Sequence, residues 1–167
     1  MVKYRRAFTD NPDQLYFLTI VTRERRRYFT TRDHYAALYR AWTAKLKNVD
    51  GDLEAFVFMP DHQHVVVKQG TISFSKTVGA VKRELNKILS PKGKSIWQER
   101  YWEHMIKNDD DYRLHVDYIH WNPVKHGHVN SSDDWPYSSF QSYVDRGIYT
   151  CDWFVKDDVV VPGSGGE

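Results

Sequence analysis

Two strand-like segments, separated by only two residues, constrain the fold of this chain most. Leu53–Met59 and His62–Lys68 are both predicted strands, and Pro60 and Asp61 form the tight connection between them. So short a connection requires the strands to pair antiparallel as a hairpin. Gln14–Arg23, rich in aromatic and β-branched residues, is a further strand that precedes this hairpin.

Helical periodicity marks the segments on either side of the hairpin. Thr31–Lys47 and Ser73–Leu89 carry apolar residues at spacings of three and four, and Tyr101–Lys107 is predicted as a fourth strand. The predicted order is therefore strand, helix, strand, strand, helix, strand. That order is typical of the ferredoxin-like α+β fold, in which helices cover an antiparallel sheet.

A third helix is expected to begin at Asp109, among carboxylates that favour a helix start. It should run to about Trp121, because the residue before a proline disfavours helix and Asn122-Pro123 would stop it. Tyr118 and Asn122 are four residues apart, so they share one helix face if the helix persists that far.

Length and composition bound the organisation of the chain. Its 167 residues suit one domain, predicted over 1–150, with a C-terminal extension over 151–167 that ends in a flexible Gly-rich tail. The one cysteine excludes a disulfide framework and a Cys-based zinc site. The sequence shows neither a signal peptide nor a membrane span, so a cytoplasmic location is expected.

Positive charge is concentrated in the first two-thirds of the chain, although the net charge is only +2. This asymmetry indicates a polyanionic partner, with an ordinary solvated surface as the alternative. The predicted phosphate contacts are Arg5, Arg6, Arg23, Arg25, Arg26, Arg27, Lys82 and Arg83. Exposed aromatic residues could stack unpaired bases, with core packing as the alternative; the candidates are Trp97, Tyr101, Trp102 and Trp121.

The chemistry centres on the first residues of the third predicted strand. Side chains alternate along a strand, so His62 and His64 face the same way and Gln63 faces the other. Two imidazoles on a rigid strand favour a divalent-metal site. Asn122 could add an oxygen ligand, and Tyr118 could then lie beside the ion as a nucleophile.

This set of groups suits phosphoryl transfer. A phenol is a weak nucleophile at neutral pH, whereas a divalent ion, Mg²⁺ or Mn²⁺, can polarise a phosphodiester for in-line attack. Attack by Tyr118 would form a covalent phosphotyrosine and release a sugar hydroxyl. Because the energy of the bond is kept, the strand can be rejoined.

Each candidate also has a purely structural interpretation. Tyr118 could be a core aromatic, and Tyr112 is a competing nucleophile that faces elsewhere on the helix. Asp61 is interpreted as a turn residue, with orientation of a histidine as the alternative. His104 is expected to be a buried, hydrogen-bonded histidine, and His120 to lie off the Tyr118 face.

Four motifs follow one another in the order found in a known family. They are Met59-Pro60-Asp61-His62-Gln63-His64, Ile96–His104, Tyr118–Gly127 and Trp135-Pro136-Tyr137-Ser138-Ser139. Over about residues 4–150 the chain resembles the single-tyrosine HUH transposases (IS200-like), in their branch associated with repetitive extragenic palindromes (REP) of bacteria. One departure is Gln63, because the family usually has a hydrophobic residue there.

The resemblance implies roles by position: His62 and His64 as the metal-binding pair, Tyr118 as the nucleophile and Asn122 as the third ligand. It implies cleavage of single-stranded DNA beside imperfect hairpins through a 5′-phosphotyrosine. One nucleophilic tyrosine per chain holds one DNA strand at a time, and a monomer or a homodimer is expected. The alternatives are a non-catalytic module that binds hairpin or single-stranded nucleic acid, and a metallonuclease that uses water.

Overall fold

An antiparallel sheet of four strands carries the fold. The computed structural model describes residues 9–90, 92–150 and 152–154. The strands are β1 (Leu15–Val21), β2 (Asp52–Phe58), β3 (His62–Lys68) and β4 (Trp102–Met105), and their order in the sheet is β2-β3-β1-β4. The order and the antiparallel pairing confirm the predicted ferredoxin-like α+β fold.

Helices cover both faces of the sheet. They are α1 (Arg32–Lys47), α2 (Phe74–Leu89), α3 (Asp109–Lys125) and the short α4 (Phe140–Asp145). Alternation along β1 divides the core, because Tyr16, Leu18 and Ile20 pack with α1 and α2, whereas Phe17 packs with α3. Within the described ranges, no helix has the length and apolarity needed to cross a membrane.

The predicted bounds differ from the observed ones mainly at the ends. Thr31 and Ser73 are N-caps that precede α1 and α2, because each side chain accepts a hydrogen bond from a backbone N–H of the first turn. The first strand ends at Val21, and Arg23–Arg25 forms a 3-10 turn. The predicted extension over 151–167 lies outside the described residues, apart from 152–154.

The third helix does not stop before Pro123, as the sequence had indicated, but continues to Lys125. Pro123 removes one hydrogen bond from the helix, but the ladder resumes after it, since His126 N donates to Asn122 O at 3.0 Å. The end is set by Gly127, which has a φ of +69°. The N–H of Gly127 bonds to Val124 O at 2.9 Å and that of His128 to Pro123 O at 2.9 Å, the two bonds of a Schellman motif.

The outer edge of β2 is covered by a later segment of the chain. Phe58 N donates to Tyr137 O at 2.9 Å, and Ser139 N donates to Phe56 O at 2.9 Å. These bonds satisfy backbone groups that an exposed edge strand would otherwise offer to another chain. They also attach the Trp135–Ser139 motif to the sheet.

The start of α3 depends on a capping bond that can be tested. The Asn108 side chain accepts a hydrogen bond from Asp111 N at 2.9 Å. We expect Asn108→Ala to lower the free energy of unfolding by about 1 kcal/mol, because a backbone N–H loses its partner. Asn108→Ser keeps an acceptor and should lose much less. Urea denaturation followed by circular dichroism measures both, and an alanine variant as stable as the wild type would contradict the assignment.

Candidate active site

The two histidines of β3 face α3, and the residue between them faces the opposite layer. His62 and His64 are buried, with ring centroids 5.1 Å apart. Gln63 points away from them, as predicted, and its Oε1 accepts a hydrogen bond from Trp42 Nε1 at 2.7 Å. The core therefore accommodates a polar residue here through a hydrogen bond to Trp42, and the position of the histidine pair is unaffected.

Neighbouring side chains fix the orientation of each imidazole. Thr19 pairs with His64 across the sheet, and its Oγ1 lies 2.8 Å from His64 Nδ1. Asp61 Oδ1 lies 2.7 Å from His62 Nδ1. Because both Nδ1 atoms are engaged, Nε2 is the ring nitrogen that each histidine would offer to a metal ion.

Asp61 therefore does more than occupy the turn between β2 and β3. Its Oδ2 also lies 3.4 Å from Arg25 Nη1. Partial burial alone would raise the pKa of this carboxyl, but the hydrogen bond to His62 and the charges of His62 and Arg25 outweigh burial and hold the pKa below its usual range. The carboxylate is thus kept ionised where it orients His62.

The continuation of α3 brings Asn122 to the histidine pair. Asn122 is fully buried, and its Oδ1 lies 3.1 Å from His62 Nε2. When Nδ1–H of a neutral imidazole is donated to Asp61, Nε2 carries a lone pair, so two acceptors face each other. The Asn122 Nδ2 atom is buried without a hydrogen-bond partner among the described residues.

These atoms fit a divalent cation. An imidazole nitrogen and an amide oxygen that face each other would both be satisfied by a positive ion between them. Two ligands at the distances that Mg²⁺ requires, at a right angle, are about 3 Å apart, which matches the observed separation. The donor set of two imidazoles and one amide leaves positions for phosphate oxygens.

Tyr118 lies against this set of ligands. Its ring centroid is 5.1 Å from that of His64 and 6.1 Å from that of Phe17. Lys125 Nζ donates a hydrogen bond to the phenol oxygen at 3.1 Å. The structure thus brings His62, His64, Asn122 and Tyr118 together, and none of the four side chains is more than 2% exposed.

The competing tyrosine lies elsewhere, as expected. Tyr112 is hydrogen bonded to Tyr143 through their hydroxyls, at 2.7 Å. Burial and this hydrogen bond raise the pKa of Tyr112 well above its ordinary value. His120 also lies off the Tyr118 face, where its Nε2 is 2.8 Å from Ser139 Oγ.

A second cluster of possible ligands lies one helical turn before Tyr118. His104, Asp111 and His115 have ligand atoms within 4.8 Å of one another, and such a group could bind a metal ion. His104 Nε2 bonds to both Asp111 oxygens, at 3.0 and 2.9 Å, so His104 is hydrogen bonded but only partly buried. The Phe17 ring separates this cluster from the site, since it contacts both His115 and His64.

The predicted phosphate contacts are only partly grouped. Arg23, Arg26 and Arg27 are exposed in the segment after β1, whereas Arg25 is half-buried against Asp61. Lys82 and Arg83 lie on α2, and Lys82 Nζ donates to Gln98 O at 3.0 Å. Arg5 and Arg6 lie outside the described residues.

Of the aromatic residues considered for base stacking, Trp97 is in the core. It is 1% exposed, and its Nε1 donates to Lys82 O at 3.1 Å. For this residue core packing, the alternative to stacking, is therefore the correct interpretation, because an apolar ring with a satisfied N–H fills the space under α2. Tyr101, Trp102 and Trp121 are partly exposed.

Comparison with known proteins agrees with this geometry. Residues 11–122 match the model of the family described as "Transposase IS200 like". The chain belongs to this transposase family. The REP-associated tyrosine transposase of Escherichia coli (strain K12) is 37% identical over 155 residues, 92% of this chain and 91% of that protein.

Two further relatives place the chain in the REP-associated branch. One, from Haemophilus influenzae, is 34% identical over 98% of this chain and 99% of its own length. A solved structure, described as the REP-associated tyrosine transposase bound to a REP hairpin, superposes with a TM-score of 0.82. It is 36% identical and covers 96% of this chain and 94% of its own. The chain is thus a tyrosine transposase.

The His104–Asp111 pair gives a prediction about acid stability. Partial burial would raise the pKa of Asp111, but hydrogen bonds from His104 and Lys107 N outweigh it and lower the pKa. A lowered folded-state pKa stabilises the protein above the ordinary value of about 3.9, and this stabilisation is lost as the pH falls through the folded value. We expect Asp111→Asn to lower the free energy of unfolding at pH 7 by about 1–3 kcal/mol and to flatten its fall below about pH 4.

Chemical denaturation at several pH values, with a chelator present throughout, measures this effect. Asp110→Asn removes a charge from the same helix turn, where the carboxylate is exposed, and should keep the acid response of the wild type. The same acid response in Asp111→Asn as in the wild type would contradict the assignment.

Proposed function

We propose that the chain is a metal-dependent single-strand DNA endonuclease and strand transferase that acts at palindromic, REP-type hairpins. The observation that carries the proposal is the position of the Tyr118 phenol against His64, beside the facing His62 and Asn122 donors. A relative at 36% identity, whose structure is described with a bound REP hairpin, supports hairpin DNA as the substrate.

In this proposal His62, His64 and Asn122 hold one divalent ion, Mg²⁺ or Mn²⁺. Imidazole ligands favour Mn²⁺, and open positions suit either ion when phosphate oxygens are to bind. When bound, the ion polarises the phosphodiester and offsets the charge that develops on its oxygens. Asp61 and Thr19 keep the imidazoles in the orientation that presents Nε2.

Tyr118 supplies the nucleophile. Its phenol oxygen attacks the scissile phosphorus in line with the bond to the 3′ oxygen. The new O–P bond links the 5′ phosphate to the tyrosine, the P–O3′ bond breaks, and in the net reaction the phenol proton ends on the released 3′ hydroxyl. Attack by a 3′ hydroxyl on the phosphotyrosine reverses these changes and joins the strands.

Access is part of the reaction, because Tyr118 and His64 have no exposed surface. A phosphodiester reaches the phenol oxygen only after the site opens. The segment after β1 connects DNA binding to this site, since Arg25 bonds to Asp61 and Asp61 bonds to His62. Its exposed arginines, Arg23, Arg26 and Arg27, are proposed to contact the phosphates of the hairpin stem.

A covalent adduct tests the proposal. Hairpin DNA with a single-stranded flank and a label at its 3′ end, incubated with Mn²⁺, should yield a labelled protein–DNA adduct that survives denaturing electrophoresis. Tyr118→Phe should abolish the adduct, because the nucleophilic oxygen is removed, and Tyr112→Phe should retain it. No adduct with the wild type, or an adduct with Tyr118→Phe, would overturn the proposal. Cleavage that leaves two free ends would indicate attack by water instead.

Metal affinity provides an independent measurement. A chelator should stop adduct formation, and Mg²⁺ or Mn²⁺ should restore it. Thr19→Val removes the partner of His64 Nδ1 and should weaken Mn²⁺ binding by about 10–100-fold in calorimetry, because loss of a hydrogen bond to a ligand lets the ring rotate. Thr43→Val, on α1 in the opposite layer, is the matched control. Unchanged affinity in Thr19→Val would count against this ligand set.

A further inference from the structure

Lys125 lies in the last turn of α3, two helical turns after Tyr118 and on the same side of the helix. Its Nζ donates a hydrogen bond to the Tyr118 oxygen at 3.1 Å. The same ammonium group lies 4.6 Å from the centroid of the phenol ring. Both contacts exist because α3 continues through Pro123; a helix that ended before it would not carry Lys125 back over Tyr118.

We propose that Lys125 is a further catalytic residue, whose ammonium group holds the Tyr118 oxygen and stabilises negative charge on it. The inference rests on the proposed function, in which that oxygen is the attacking atom. The same oxygen is the leaving atom when the strand is rejoined, so Lys125 is expected to assist both directions of the reaction.

The surroundings of the phenol make a cation effective there. Tyr118 is fully buried, and negative charge on a buried oxygen is costly unless a partner is close. The ring also contacts Phe17 and His64, and neither of these two side chains carries a permanent positive charge. Lys125 itself is exposed, so its ammonium group reaches the buried oxygen from the surface, and a charge-assisted hydrogen bond to that oxygen is stronger than a neutral one.

The bond also restricts where the phenol can point. The Lys125 N–H occupies one lone pair of the oxygen and leaves the other for the phosphorus. Lys125 retains its own protons in this scheme, so it acts through charge and position rather than by taking the proton from Tyr118. In this scheme the Lys125 ammonium group both orients the phenol oxygen for attack and stabilises negative charge on it.

Two substitutions separate charge from packing. Lys125→Met keeps a long apolar side chain over the ring but removes the charge and the donor. Lys125→Arg keeps both. Lys107→Met is the matched control, because that lysine is also exposed but precedes the start of α3, about three helical turns before Tyr118.

The measurement is single-turnover adduct formation, with enzyme in excess over labelled hairpin DNA and with Mn²⁺ saturating. We expect Lys125→Met to slow adduct formation by about 10–100-fold, with hairpin affinity unchanged, and to slow rejoining of the isolated adduct similarly. Lys125→Arg should recover most of the rate, and Lys107→Met all of it. Circular dichroism and thermal melting confirm that the variants are folded.

The outcomes distinguish this inference from the proposed function. If the wild type forms an adduct and Tyr118→Phe does not, but Lys125→Met reacts at the wild-type rate, the role of Lys125 is overturned and the transposase mechanism stands. If Lys125→Met weakens only hairpin binding, Lys125 is a phosphate contact and the inference again fails. If the wild type forms no adduct, both fail together.

Discussion

The contact between Asn122 Oδ1 and His62 Nε2, 3.1 Å long, is the interaction on which the site depends. It joins α3 to β3, two elements that are distant in sequence, at the point where the proposed ligands and nucleophile meet. Asn122 reaches His62 only because the helix remains regular through the residue before a proline. Buried packing of Asn122 and Pro123 outweighs the local preference against that conformation.

Strand alternation separates the proposed metal ligands from a structural residue along β3. Successive side chains face α3, the α1 and α2 layer, and α3 again, so a polar Gln63 between the histidines is compatible with the site. Its hydrogen bond to Trp42 satisfies an indole N–H that would otherwise be buried alone. On the α3 face both imidazoles have a partner at Nδ1, which is Thr19 for His64 and Asp61 for His62.

Much of this arrangement could be predicted from local pattern. The two-residue connection at Pro60-Asp61 predicted the hairpin, and the period of two along β3 predicted the shared face of His62 and His64. The end of α3 could not be predicted from proline alone. Gly127 just beyond Lys125 and His126 was the competing signal for the helix end, and it was the correct one.

Contacts that depend on strand register or on tertiary packing could not be predicted from the sequence. Thr19 is the partner of His64 only through the pairing of β1 with β3, which spacing along the chain does not specify. The hydrogen bond from Lys125 to Tyr118 forms only because the helix continues past Pro123. Asp111 could be recognised as a residue at a helix start, but its hydrogen bond to His104 could not be predicted. Trp97 illustrates the same limit, since composition does not separate a core indole from a stacking one.

The position of Tyr118 between two contacts of α3 with the sheet explains how one helix can hold the proposed nucleophile accurately. The first half of the helix is attached to β4 through the hydrogen bonds of Asp111 with His104. The second half lies against β3 where Asn122 meets His62, a pair of acceptors that a cation would join. Tyr118 lies between these contacts, against Phe17 of the central strand β1. A nucleophile held from both sides loses little freedom when substrate binds, which is the condition for efficient attack by a weak nucleophile. The fold therefore fixes the position of the phenol, and the groups around its oxygen would determine its reactivity.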